Sequence, residues 1–144
     1  MTTVRDLMTR DVRCIPATET LDRAAQLMRD HRIGALPVQN GDKELIGIVT
    51  DRDIIVKCVA AGHDPAKVTA GDLSEGAPVS VDVSADASDA IRVMGEARIR
   101  RLLILDNGRP AGVVTEADLA RSLPAEQLAD FVSRVYATGR TRTR

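Results

Sequence analysis

The chain repeats itself, and this restricts the folds open to it more than any other feature. Displaced by 66 positions, Asp6-Leu7 falls on Asp72-Leu73, Ala24 on Ala90, Met28 on Met94, Arg32-Ile33 on Arg98-Ile99 and Leu36 on Leu102. One residue is then lost in a turn, and Gly47-Ile-Val-Thr-Asp-Arg-Asp53 lands on Gly112-Val-Val-Thr-Glu-Ala-Asp118.

Both copies have the same order of elements. A short apolar segment, Val12 to Ile15 or Val79 to Val81, comes first. Leu21, Ala24, Ala25 and Met28, or Ala87, Ala90, Ile91 and Met94, then recur at helical spacing. A strand follows, Leu36 to Gln39 or Leu102 to Leu105, and an Asn-Gly turn at Asn40-Gly41 or Asn107-Gly108 suits a hairpin. The returning strand, Leu45 to Val49 or Ala111 to Val114, runs into a helix starting near Asp51 or Glu116. Each copy is therefore β-α-β-β-α. A unit this small buries too little of its surface to be stable alone, so the two are expected to share one core as an α/β body with approximate two-fold symmetry. The expected divisions are a first repeat over 4–62, a linker over 63–69, a second repeat over 70–123, a helix over 124–137 and a disordered tail over 138–144.

Composition removes several functional classes. The 144 residues carry a net charge of −1, so nothing steers the whole chain to nucleic acid. Phe131 and Tyr136 are the only aromatic residues, which excludes the stacking platforms of single-strand binders. No apolar run approaches a membrane span, and the N-terminus lacks a secretory pattern, so a cytoplasmic location is expected. Cys14 and Cys58 form no motif and read as small buried hydrophobes. His31 and His63 lie outside any ligand spacing, so no metal site is expected. No nucleophile elbow or phosphate loop is present, and the chain does not read as an enzyme.

The paired Gly-x-x-Thr-x-x-Asp supports two readings. Thr50 and Thr115 sit where a strand becomes a helix, and Asp53 and Asp118 three residues later can close capping boxes. The same geometry offers a helix N-terminus and a hydroxyl to phosphate, and a carboxylate to the vicinal hydroxyls of a ribose. Thr50 and Thr115 are the phosphate candidates, Asp53 and Asp118 the ribose candidates. Gly47 and Gly112 fall where the strand must pass close to a ligand or another backbone.

The element order, the period and the two Gly-x-x-Thr-x-x-Asp segments resemble the cystathionine-β-synthase (CBS) domain family, as does Ile33-Gly-Ala-Leu-Pro-Val38. The resemblance runs from about Val4 to Leu123. Within the family, the opening Met1 to Met8 and Thr50-Asp-Arg-Asp-Ile54 look like stand-alone actinobacterial proteins of the hypoxic-response type. The resemblance implies a Bateman module with clefts for AMP, ADP, ATP or S-adenosylmethionine as regulatory ligands, a homodimer, and action in trans on an unidentified protein partner. It implies adenine walls from Ile15, Ala35, Leu36, Pro37 and Ile48 in one cleft. In the other, the walls would come from Val81, Arg101, Leu102, Leu103 and Val113. Arg100 and Arg101 add charge that could hold phosphates. Leu103 replaces the proline of the first copy, a departure that makes two equal sites unexpected. The alternative is a stress-response interaction protein that binds no nucleotide. Beyond the repeats, Pro124 to Tyr136 reads as an amphipathic helix with Leu128, Phe131, Val132 and Val135 on one face.

Overall fold

The computed structural model describes residues 2–10, 12–74 and 76–142, with side chains through residue 137. In chain order the elements are α1 (Val4–Leu7), β1 (Ile15–Pro16), α2 (Leu21–His31), β2 (Ala35–Gln39), β3 (Leu45–Thr50) and α3 (Asp51–Asp53), which widens into a π-helical stretch over Ile54–Val59. Then come α4 (Ala70–Leu73), β4 (Ser80–Asp82), α5 (Ala87–Ala97), β5 (Arg101–Asp106), β6 (Arg109–Thr115), α6 (Glu116–Ser122) and α7 (Ala125–Arg142).

The two sheets are copies. In one, β1 pairs parallel to β2 and β2 antiparallel to β3; in the other, β4, β5 and β6 do the same. The hairpins owe their tightness to asparagine. Asn107 and Gly108 take φ of 52° and 79°, as a two-residue turn between twisted strands requires. Asn40 Oδ1 instead accepts the backbone N–H groups of Asp42 and Glu44 at 2.9 and 3.0 Å. The helices α2 and α5 end alike, on Arg32 and Arg98 in the left-handed region.

The chain divides into two compact units, and they do not follow the repeats in sequence. One is Arg13–Pro78; the other combines Met1–Val12 with Val79–Arg144. Each sheet thus keeps as its companion a one-turn helix from the opening of the other repeat, and the hydrogen bonds obey the same 66-residue displacement. Val4 N–H donates to Ala85 O at 3.0 Å, and Ala70 N–H to Glu19 O at 2.8 Å. Ala87 N–H donates to Thr2 O, and Leu21 N–H to Val68 O, each at 2.9 Å. The helices α1 and α4 are additions to the β-α-β-β-α order expected from the apolar pattern.

Buried apolar residues fall into two clusters, one in each unit. In the Arg13–Pro78 unit, Leu21, Ala24 and Met28 of α2 pack with Ile15, Leu36, Val38, Val49, Ile54 and Cys58. In the other, Ala90 and Met94 of α5 pack with Leu102, Ile104, Val114 and Leu119, together with Val4 and Leu7 of α1. Phe131 and Val135 bring α7 into this second core. That helix continues past its expected end near Tyr136 to Arg142, since propagation from a docked helix is inexpensive. Thr143 and Arg144, at the end of the expected tail, lie outside the described residues.

Candidate functional site

Four Thr-x-x-Asp segments, not two, open helices in this chain. The threonine N–H donates to the aspartate carboxylate at 3.1 Å in Thr3–Asp6, 3.0 Å in Thr50–Asp53, 2.9 Å in Thr69–Asp72 and 2.9 Å in Thr115–Asp118. The reciprocal bond, Asp N–H to Thr Oγ1, closes the box at Thr50, Thr69 and Thr115 at 3.1, 3.2 and 3.2 Å. Capping therefore accounts for the motif wherever it occurs. What sets any one copy apart must be its surroundings.

Strand alternation sorts the residues expected to line an adenine pocket. Val38 pairs with Ile15 and Gly47, and Leu36 with Val49, so Ile15 and Leu36 face the core, where both are fully buried. Ala35 pairs with Thr50 and Pro37 with Ile48, which places these four on the opposite face of the sheet. The second sheet sorts identically. Val81 pairs with Ile104 and Leu102 with Val114 on the core face, while Arg101–Thr115 and Leu103–Val113 share the other. Ala35, Pro37, Ile48 and Thr50 are thus brought together, as are Arg101, Leu103, Val113 and Thr115. Ile15, Leu36, Val81 and Leu102 belong with the core clusters.

The two ribose candidates differ sharply. Asp53 keeps 24% of its side chain exposed; one oxygen accepts Thr50 N–H, and the other faces Lys57 Nζ at 3.4 Å. Asp118 is only 2% exposed and fully engaged. Besides Thr115 N–H, it accepts the Thr9 hydroxyl at 3.1 Å and the Arg121 guanidinium. Thr9 is held there by its own backbone, which exchanges two hydrogen bonds with Val113 at 2.9 and 3.0 Å and so pairs with the β6 edge. Sequence reasoning missed Thr9 because no local pattern links it to a carboxylate 109 residues away.

The glycines of the motif make room for these opening segments. A Cβ on Gly112 would stand 2.5 Å from Met8 Sδ and 2.9 Å from the Thr9 carbonyl oxygen. On Gly47 it would stand 2.6 Å from Ser74 Cβ, and Ser74 is the 66-residue counterpart of Met8. The close neighbour in each case is another stretch of the same chain.

Arg100 and Arg101 point to separate environments. Arg101 is half-buried beside Thr115 in the β5–β6 ladder. Arg100 is exposed, lies 5.8 Å from the centroid of the Tyr136 ring and donates to the Tyr136 hydroxyl at 3.2 Å. That hydroxyl in turn donates to Glu116 Oε2 at 3.1 Å, and Glu116 N–H donates to Arg100 O at 3.0 Å. The first residue of α6, the residue preceding β5 and α7 are joined in one ring of contacts.

Both cysteines are free thiols in the Arg13–Pro78 unit. Burial pushes the Cys14 thiol above its ordinary value, while Cys58 is fully buried with its Sγ 3.5 Å from His63 O. Among the described residues, no three His, Cys, Asp or Glu side chains converge as metal ligands. No buried polar side-chain atom among them lacks a partner, and no helix is long and apolar enough to cross a membrane.

Comparison with known proteins agrees with this architecture. The CBS-domain family profile matches residues 4–59 and 70–125. Hypoxic response protein 1 of Mycobacterium tuberculosis is 45% identical over 135 residues, 94% of each chain. The CBS domain-containing protein YhcV of Bacillus subtilis is 35% identical, covering 83% of this chain and 84% of its own. The crystal structure of Hypoxic Response Protein I, with two coordinated zinc ions, superposes with a TM-score of 0.76 at 47% identity, over 85% of this chain and all of that one. That of CBSX2 in complex with AMP superposes at 0.71 and 26% identity, over 85% and 96%. Two CBS repeats, a regulatory module, occupy most of the sequence, and the chain belongs to the CBS-domain family.

Proposed function

We propose that this chain senses an adenosine ligand and that its two repeats contribute unequally. The observation that carries this reading is the contrast between the two carboxylates. Asp53 is partly exposed beside Thr50, which shares a sheet face with half-buried Ala35 and Ile48 and buried Pro37. An apolar face for a base next to a carboxylate for a ribose is the chemistry an adenosine compound needs. Asp118 has Thr9 and Arg121 where ribose hydroxyls would have to donate, so the second repeat is left with Arg100, Arg101 and Thr115 for phosphate groups. The AMP held by CBSX2 supports AMP, ADP or ATP as the ligand class, with S-adenosylmethionine as the cationic variant. The module acts in trans in the cytoplasm, as a homodimer, on a protein partner rather than as an enzyme.

A second reading is favoured by the four capping boxes. If Thr-x-x-Asp serves only to start helices, this is a hypoxia-type stress-response protein that works by interaction and binds no nucleotide, in keeping with its likeness to hypoxic response protein 1. An absorbance spectrum separates the two. With no tryptophan and one tyrosine, the purified protein absorbs weakly at 280 nm, so copurified nucleotide stands out. Acid release of an adenine compound, or a melting shift with AMP, ATP or S-adenosylmethionine, establishes the sensor. An empty spectrum with no shift for any of the three establishes the interaction protein.

A further inference from the structure

We propose that Tyr136 is a latch that competes with ligand phosphate for Arg100 and so couples occupancy to the end of α7. This rests on the sensor reading above and extends it to regulation. The Arg100 guanidinium lies over the Tyr136 ring and donates to its hydroxyl, and that hydroxyl donates to Glu116. Glu116 directly follows Thr115, so the latch closes on the strand–helix junction that carries the second motif.

The chemistry favours exchange. A guanidinium is a planar fork of donors that matches phosphate oxygens, and bonds between charged partners are stronger than a bond to a neutral phenol. Tyr136 is 40% exposed, so water can replace its contacts when they open. A phosphate on Arg100 would also repel the Glu116 carboxylate, loosening the second contact of the same hydroxyl. Phe131 and Val135 stay anchored in the core, so the release is confined to α7 from Tyr136 onward. The signal would be a freed C-terminal end of that helix, available to a partner.

Tyr136 also reports on itself, because the chain has no other tyrosine and no tryptophan. ATP is titrated by calorimetry into wild type, Tyr136→Phe and Arg100→Ala, and Tyr136 emission is followed with inorganic tripolyphosphate, which does not absorb where tyrosine is excited. Removing the competing hydroxyl in Tyr136→Phe is expected to tighten ATP binding about two- to fivefold, the net size of one exposed hydrogen bond. Arg100→Ala is expected to weaken ATP binding at least about tenfold, one charge-assisted bond, and to abolish the emission change caused by tripolyphosphate. Both substitutions are at exposed positions, so the fold is retained. ATP binding that is indifferent to both substitutions overturns the latch and leaves the sensor standing. ATP binding that weakens in Tyr136→Phe makes the tyrosine a ligand contact and also overturns the latch. Absence of ATP binding to wild type overturns the latch, and the sensor falls with it only when AMP and S-adenosylmethionine also fail to bind.

Discussion

Thr9 and Asp118 stand 109 residues apart in the chain, yet the Thr9 hydroxyl donates to Asp118 Oδ1 at 3.1 Å. Thr9 belongs to the opening of the first repeat and Asp118 to the closing motif of the second, so the bond makes the start of the chain part of the second sheet's fold. An aspartate so enclosed acts as a structural residue. Its counterpart Asp53, with 24% of its side chain in solvent, does not have that burden.

The two aspartates should therefore respond differently to removal. Asp118→Ala strands the Thr9 hydroxyl and Thr115 N–H and is expected to cost roughly 2–3 kcal/mol. Asp53→Ala removes a capping contact and is expected to cost about 1 kcal/mol. Thr9→Val, which keeps the shape and deletes the hydroxyl, should cost about 1–2 kcal/mol. Urea unfolding curves measure all three, and equal losses at Asp53 and Asp118 would rule out the distinction between them. It follows that Asp53, not Asp118, is the position at which to test ligand binding without disturbing the fold.

Gly112 and Gly47 make a steric prediction. A methyl group on Gly112 meets Met8 Sδ at 2.5 Å and the Thr9 carbonyl oxygen at 2.9 Å, and that carbonyl is fixed by its bond from Val113 N–H. Gly112→Ala is expected to destabilise by about 1–3 kcal/mol, and Gly47→Ala, against Ser74, by a similar amount. Gly41→Ala has nothing within 4 Å and should be nearly silent. Shortening Met8 to alanine should recover part of the Gly112→Ala loss but not all, since the carbonyl remains. Full additivity of the pair in thermal melts would show that the two positions are not in contact.

The cysteines predict a pH dependence. Burial pushes the Cys14 thiol above its ordinary value, so at neutral pH it should be alkylated more slowly than a free thiol, with the rate rising as pH increases. The sign for stability follows from the favoured neutral form. The folded state gains from keeping the thiol protonated; that gain is complete below the unfolded value and is lost as pH rises through the folded one. Cys58 is fully buried and should react only when the unit opens. Mass spectrometry after timed alkylation, with Cys14→Ser as control, reads both. Faster labelling of Cys58 than of Cys14 would contradict this placement.

Much of this fold could be read in the chain because its signals are local. The Asn-Gly turns set the hairpins, so expected strands such as Leu45–Val49 fall within a residue of those observed. The spacing of Ala90, Ile91 and Met94 identifies α5. The single-turn helices α1 and α4 are equally local, since Thr3–Asp6 and Thr69–Asp72 carry the same cap signature as Thr50–Asp53 and Thr115–Asp118. What the sequence hides is non-local or geometric. Apolar pattern does not reveal that residues 1–12 group with the second repeat's sheet, nor that Asp118 is covered by Thr9. For the same reason, strand alternation had to be combined with register before Ile15 and Leu36 could be assigned to the core and Pro37 and Ile48 to the other face.

The π-helical stretch after Asp53 carries the last prediction. Backbone bonds from Ala60 N–H to Ile55 O and from His63 N–H to Cys58 O, at 2.8 and 2.9 Å, each span five residues, so the turn is wider than an α-helix allows. Within it Ile54 and Cys58 reach the core, while Ile55, Val56 and Val59 remain 60%, 47% and 57% exposed. Three large aliphatic side chains on one short surface are a costly exposure for a monomer, and a second copy of the chain is the proposed cover. Val59→Glu and Ile55→Glu, singly and together, are expected to convert a dimer to a monomer in sedimentation experiments. The melting temperature at low protein concentration should stay within a few degrees of wild type, because no core contact is lost. A dimer that survives the double substitution must be held by another surface, and a wild-type protein that sediments as a monomer would leave this patch for a different partner.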